Sequence, residues 1–206
     1  MHPLLSRQLQ RYMGTNFVVP DGEMRNLLEA ISRHYQKLEY LARFDPLTGV
    51  ANRRYFVEMV EAELARSSRY DKQLSILMVD IDQFKRVNDV HGHQAGDVIL
   101  LALCETCKIV LRAFDIVGRW GGDEFAIVLP ETPPAMALQV AERLRDAIEN
   151  TAVDSGMHSP LRFSVSIGCA SRNARDDNLG ALIGVADKAL YDAKRTGRNR
   201  VCVATE

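Results

Sequence analysis

The sequence predicts an α+β fold, with a mostly antiparallel central sheet flanked by helices and an N-terminal helical extension. Three observations predict it. Leu74 to Val79 is an unbroken apolar run of strand length, the pattern of a central strand. Asp115-Ile116-Val117-Gly118 and Ala126-Ile127-Val128-Leu129-Pro130 read as two strands joined by a turn at Gly121-Gly122, a hairpin. Around them, apolar residues recur at helical spacing, giving the order β-α-α-β-β-α-β-α-β.

The elements follow in order. Residues 1–16 form a short amphipathic piece with Leu4, Leu5, Leu9 and Tyr12 on one side, followed by a loop to Gly22. From Glu23 to Arg43, the residues Leu28, Ile31, Tyr35, Leu38 and Ala42 alternate in steps of three and four, a heptad seam of about two heptads. It reads as a dimerising helix rather than one packed on its own domain. Asp45-Pro46 breaks that helix, and Asn52 is placed to cap the next, which runs through Phe56, Val60 and Leu64 to about Tyr70. The central strand spans Leu74 to Asp82. A short helix covers Phe84 to Val90, and a longer one runs from His93 to about Arg112. After the hairpin, Thr132-Pro133-Pro134 opens a helix with Ala137, Val140, Ala141, Leu144 and Ile148 on its apolar face. Leu161 to Ala170 alternates as a strand, Leu179 to Arg195 is the last helix, and Arg200 to Val203 the last strand. Residues 1–43 are thus expected to be a helical segment, and 44–206 the main domain.

Composition bounds the function. The chain has 206 residues, 47% of them hydrophobic, and a formal net charge of −1. That balance argues against a dedicated nucleic-acid binder. No apolar run is long enough to span a bilayer and the N-terminus lacks a signal-peptide layout, so a cytoplasmic location is expected. Cys104 and Cys107 have C-x-x-C spacing but lie in a helical apolar pattern with no second pair, and they read as core, as do Cys169 and Cys202.

The chemistry concentrates at Arg119-Trp120-Gly121-Gly122-Asp123-Glu124-Phe125. Glycine tolerates positive φ, which lets the turn be tight, and two missing side chains let a large ligand lie against the backbone. Two carboxylates then stand at the start of a buried strand, where charge is costly unless a cation uses it. The central strand ends in Asp80-Ile81-Asp82, whose two carboxylates project to the same side. Carboxylates on a strand end beside carboxylates on a hairpin are the layout of a two-metal phosphoryl-transfer site.

These residues resemble the GGDEF domain family, the diguanylate cyclases. Asp45-Pro46-Leu47-Thr48-Gly49-Val50-Ala51-Asn52-Arg53-Arg54 is similar to the family's opening motif. Asp80 to Asp89, with Gly92-His93 and Gly96-Asp97, is similar to its nucleotide-binding motif, and Tyr191 to Asn199 to its closing motif. The resemblance covers about Asp45 to Val203 and implies the palm-like fold of nucleotide cyclases and polymerases. It implies joining two GTP into cyclic di-GMP, each 3′-hydroxyl attacking the other's α-phosphate, with two pyrophosphates released. It implies two Mg²⁺ ions per site, or Mn²⁺ in their stead, held by Asp80, Asp123, Glu124 and the Ile81 carbonyl. Asp123 is also the family's general-base position. Asp82 is expected to turn inward onto a structural partner.

By the same match, Lys85 neutralises phosphate charge, and Lys194 and Arg198, one helical turn apart, reach the β- and γ-phosphates. Asn88, His93 and Asp97 read guanine and ribose, with His91 a tolerated substitution. Arg112-Ala113-Phe114-Asp115 matches the R-x-x-D inhibitory motif, a product-binding site that Arg143 assists. A homodimer is implied, because one chain offers one GTP pocket, and the helix before the domain resembles the family's signalling helix, which an upstream sensor or regulator would drive. The competing reading is a catalytically silent module that senses GTP or cyclic di-GMP. Retention of Asp80, Asp123, Glu124 and Lys85 argues against it.

Overall fold

The computed structural model describes residues 22–154, 160–172 and 178–204. The amphipathic piece expected over 1–16 lies outside the described residues. The chain divides between Phe44 and Asp45 into two units. The first contains α1 (Glu23–Arg43), the helix its periodicity predicts. Glu29–Arg33 and Glu39–Arg43 are ion pairs at helical spacing. Ile31, Tyr35 and Leu38 of the expected seam are exposed. The helix ends where Phe44 turns to extended backbone, its N–H donating to the Tyr40 carbonyl at 2.8 Å.

The second unit is a six-stranded sheet in the order β1-β3-β4-β2-β5-β6. Its elements along the chain are β1 (Ala51–Asn52), α2 (Arg53–Arg69), β2 (Leu74–Ile81), α3 (Phe84–His91), α4 (His93–Val110), β3 (Ile116–Arg119), β4 (Glu124–Pro130), α5 (Pro134–Glu149), β5 (Val165–Ser171), α6 (Leu179–Arg195) and β6 (Val201–Val203). β2 lies between β4 and β5, antiparallel to both, and β3 pairs antiparallel with β4 as the expected hairpin.

The sheet is mixed rather than mostly antiparallel, because both edges are parallel: β1 on β3 and β6 on β5. A helical crossover returns the chain to the end it left, and α6 does this between β5 and β6. β1 went unseen because two residues carry no period. β5 also starts later than expected. Leu161 makes only an isolated bridge to Val153.

Alternation along β2 builds a core on each face of the sheet. Leu77, Val79 and Ile81 join Ile99 and Leu103 of α4 and Ala141 and Leu144 of α5. Ile76 and Met78 join Phe56 and Val60 of α2 and Ala186 and Leu190 of α6. Cys104, Cys107 and Cys169 are buried in the first core. Burial pushes the Cys104 thiol up to about 12, so it packs as a small apolar group. Cys202 is only partly buried.

Asn52 caps α2, its side chain accepting from Tyr55 N–H at 3.0 Å. Gly168 in β5 lets α6 press onto the sheet, since a Cβ there would collide with the backbone of Ala186 and Leu190. No described helix is long and apolar enough to cross a membrane.

Candidate active site

Strand order brings the acidic motifs together. Asp80, on the last turnout of β2, lies directly opposite Glu124 at the start of β4. The Ile81 N–H donates to the Asp123 carbonyl at 3.3 Å, joining the two motifs through backbone. Like charges facing each other across strands are destabilising unless a cation intervenes. Lys194, near the end of α6, supplies one: its Nζ is 2.7 Å from Asp80 Oδ2. Burial still dominates and pushes the Asp80 carboxyl up to about 6. The Lys194 hydrogen bond and charge oppose this, while the charges of Asp123 and Glu124 add to it.

No three described His, Cys, Asp or Glu side chains converge to chelate an ion unaided. The donors available are a few carboxylates and the Ile81 carbonyl, all hard oxygens. Mg²⁺ is bound in that way, by one or two carboxylates together with substrate phosphate oxygens rather than by an all-protein cage. The donor set therefore fits a divalent cation brought together with a nucleotide.

The hairpin turn differs in one respect from expectation. Neither Gly121 nor Gly122 has positive φ. The turn is closed by the N–H groups of Trp120 and Gly121 donating to the Glu124 carbonyl at 2.8 and 3.2 Å. The face of the turn is open, as a Cβ at Gly122 would meet nothing within 4 Å. Arg119 braces the turn, its Nη2 and Nε donating to the Gly122 carbonyl at 2.7 and 3.1 Å, while its Nη1 holds Asp45 at 3.0 Å. Asp45 also accepts from the Thr48 N–H and hydroxyl at 2.9 and 2.7 Å. Burial raises the Asp45 pKa, but the bonds from Thr48 and Arg119 outweigh it and hold the carboxyl below its ordinary range. The opening motif thus fixes the hairpin from behind. The sequence displayed Asp45 and Arg119 inside recognised motifs without disclosing this role.

Asp82 turns inward, as expected. It is 8% exposed. Its Oδ1 accepts from Ser166 Oγ at 2.7 Å, and its Oδ2 from Ser164 Oγ at 2.7 Å and Asn199 N–H at 3.0 Å. Gln83 follows with φ 56 and starts α3. Lys85, on α3, is exposed.

Asn88 of α3 faces Gly96 of α4 so closely that a Cβ at Gly96 would collide with its side-chain amide. Asn88 Oδ1 is buried and has no protein hydrogen-bond partner. A buried acceptor without a partner is costly, and a water or a ligand donor would satisfy it. His93 and Asp97, in the first turns of α4, are exposed.

Arg198 is not on a helix. α6 stops at Arg195, and Gly197, Arg198 and Asn199 all have positive φ, at 130, 61 and 46°. The expected alignment of Lys194 with Arg198 along one helix face is therefore replaced by a turn, which glycine begins.

The R-x-x-D segment forms a second cleft of about 340 Å³, lined by Arg112, Asp115, Lys108 and Val50 among others. Arg112 and Asp115 are joined through backbone. The Arg112 N–H donates to Asp115 Oδ2 at 2.8 Å, and the Arg112 guanidinium lies 5.7 Å from the Phe114 ring centre. Asp115 Oδ1 is buried without a partner, and burial raises this carboxyl's pKa against the pull of Arg112 and Arg143. Arg143 Nη2 donates to the Val110 carbonyl at 2.8 Å.

The chain is similar to known proteins in sequence and in fold. The family model described as diguanylate cyclase, GGDEF domain, matches residues 42–200. Diguanylate cyclase DgcM of Escherichia coli (strain K12) is 37% identical over 202 residues, 97% of this chain and 48% of its own length. Diguanylate cyclase DosC of the same strain is 40% identical over 178 residues, 86% of this chain and 37% of its own length. The chain thus spans about half, or less, of the curated relatives it matches. Among solved structures, the coiled coil and GGDEF domain of DgcB from Caulobacter crescentus in complex with c-di-GMP has a TM-score of 0.80 at 25% identity, covering 98% of this chain and 100% of that one. Diguanylate cyclase SiaD in complex with its activator SiaC from Pseudomonas aeruginosa has a TM-score of 0.76 at 33% identity, covering 98% and 76%.

Proposed function

Since the chain belongs to the diguanylate cyclase GGDEF-domain family, we propose that it condenses two GTP into cyclic di-GMP and two pyrophosphates. The observation that carries the reading is the pairing of Asp80 with Glu124 across β2 and β4, beside Asp123 and in contact with Lys194. Asp80, Asp123, Glu124 and the Ile81 carbonyl would hold Mg²⁺ or Mn²⁺, two ions per site, and the bound ions would supply charge to offset the triphosphate and to make the 3′-hydroxyl more acidic.

The chain's own residues do the rest. Asp123 stands where it can orient or accept the hydroxyl proton. Lys85, Lys194 and Arg198 offset charge on the phosphates, stabilising the transition state electrostatically. Asn88, His93 and Asp97 select the nucleotide. An Asp accepts from guanine N1–H and its exocyclic amine, donors that adenine does not present in that arrangement, so ATP leaves this acceptor unpaired.

The reaction needs two GTP facing each other, so the active form is a homodimer with the site split between chains. Residues 1–43 act as a signalling helix and 44–206 as the catalytic domain, in the cytoplasm where GTP is found. The cleft of Arg112 and Asp115, with Arg143, takes cyclic di-GMP as an inhibitor, and an upstream sensor or regulator sets the activity. The DgcB structure with c-di-GMP and the SiaD structure with an activator support these last readings.

The test is incubation of the purified chain with GTP and Mg²⁺ at several protein concentrations, with products read by chromatography and mass spectrometry. Cyclic di-GMP is expected from the parent, and Asp123→Ala should make it slower by on the order of 10²–10³-fold. GTP or cyclic di-GMP binding without turnover at any concentration would replace the enzyme by a silent sensing module.

A further inference from the structure

The turn that follows α6 is held more firmly than ending a helix requires. The helix is already closed by Thr196 N–H on the Asp192 carbonyl at 2.9 Å and Arg198 N–H on the Ala193 carbonyl at 3.0 Å. With Gly197 at φ 130, this is the glycine-terminated pattern by which helices commonly stop. The pattern asks nothing special of the residues after it. Yet Arg198 and Asn199 both adopt left-handed backbone, which side chains bearing a Cβ disfavour. Such backbone persists only where its surroundings over-determine it.

Here the surroundings are Asn199's partners, which approach from two directions. From the sheet, Asp82 accepts the Asn199 N–H at 3.0 Å, and Ser164 and Ser166 hold that carboxylate in place. From α5, Arg145 Nη1 donates to Asn199 Oδ1 at 3.0 Å, and Asn199 Nδ2 donates to Glu149 Oε1 at 2.7 Å. Arg145 is itself fixed by Glu149 and Glu142 at 2.6 and 2.9 Å. The Asn199 side-chain carbonyl oxygen, its amide nitrogen and its backbone N–H thus each have a protein partner. The residue immediately before it, Arg198, is an exposed cation.

We propose that Asn199, clamped between Asp82 and the Arg145–Glu149 pair, is a positioning residue that fixes the left-handed turn and so aims Arg198 at the triphosphate of GTP. On this view Asp82 serves the same turn and is not a metal ligand, since both of its oxygens already accept hydrogen bonds from the protein. The inference rests on the proposed GTP reading and goes further by assigning a role to residues that touch no substrate.

The experiment is a double-mutant cycle on equilibrium binding of guanosine and of GTP with a methylene bridge between its α- and β-phosphates, which cannot turn over, in the presence of Mg²⁺, using Arg198→Ala, Asn199→Gly and the pair. Glycine accepts the left-handed backbone and keeps the N–H bond to Asp82, so Asn199→Gly removes the side-chain half of the clamp, toward Arg145 and Glu149, without adding strain. Thermal unfolding of each variant shows whether the fold survives. Asn199→Gly is expected to weaken GTP by on the order of 10-fold while leaving guanosine unchanged. The double variant should bind GTP no worse than Arg198→Ala alone. Independent, additive effects of the two substitutions overturn the positioning role. So does an equal loss for guanosine, which would make the turn merely structural. A parent protein with no preference for GTP over guanosine removes the GTP reading itself, and this inference with it.

Discussion

Asp80 carries the most perturbed carboxyl of the candidate site, and its perturbation has a direction that can be measured. Burial, reinforced by Asp123 and Glu124, holds its proton more tightly in the folded chain than in the unfolded one, raising the pKa from its ordinary 3.8 to about 6. The stability this gives is complete below pH 3.8 and is lost as pH rises through about 6. A divalent cation has the opposite preference, because it takes the carboxylate only once the proton has gone. Mg²⁺ should therefore raise the melting temperature little at about pH 5 and clearly more at about pH 8. Asp80→Asn should abolish the difference, and equal stabilisation of the parent at both pH values would contradict it. In the second cleft, Arg112→Ala should raise the cyclic di-GMP concentration needed for half-inhibition by about 10-fold or more with GTP turnover retained. Unchanged inhibition would remove the regulatory role of that cleft. At this scale the sequence disclosed the acids and the inward turn of Asp82. It did not disclose what they bond to. Asp82 and Asn199 are 117 residues apart, and their contact depends on strand order that no local pattern carries.

Helices and central strands were legible because each has a period or an unbroken apolar run, and α1 and α6 begin and end where their patterns do. Edges were less so. β1 is two residues long, and the parallel pairing of β6 is a consequence of the crossover through α6 rather than of anything in Val201–Val203. The hairpin glycines do not use the conformational freedom expected of them, and the space beside Gly122 is open. Gly168 is the sharper case. Its Cβ-less backbone receives α6 at Ala186 and Leu190, and the obstacle is main chain, which cannot rotate aside. Gly168→Ala should cost about 1–3 kcal/mol of stability, seen as a lower urea midpoint. It should also reduce GTP turnover, since Lys194 lies one helical turn beyond Leu190. A variant as stable as the parent would show that helix and strand can separate without penalty.

For the whole molecule, the proposed division of the two reactants between two chains makes activity a property of chain pairs. Product formed per chain should rise with protein concentration and level off once pairing is complete. α1 exposes Leu38 at 65%, so Leu38→Glu should leave the melting temperature of the second unit unchanged. It should also move the half-maximal concentration upward by about 10-fold. Activity per chain that stays flat on dilution would exclude assembly through α1. The tight seat of α6 also bears on how such a domain can vary. Its reactive groups are tethered at a hairpin and a turn where substitutions are easy to see coming. The depth at which one of its lysines meets the acidic strand end is set in mid-strand by a carbon atom that is missing, at a position outside every recognisable motif. Randomising the motifs would test the chemistry, but grafting them onto a similar sheet with alanine at that position would transfer the reactive residues without the spacing that makes them meet.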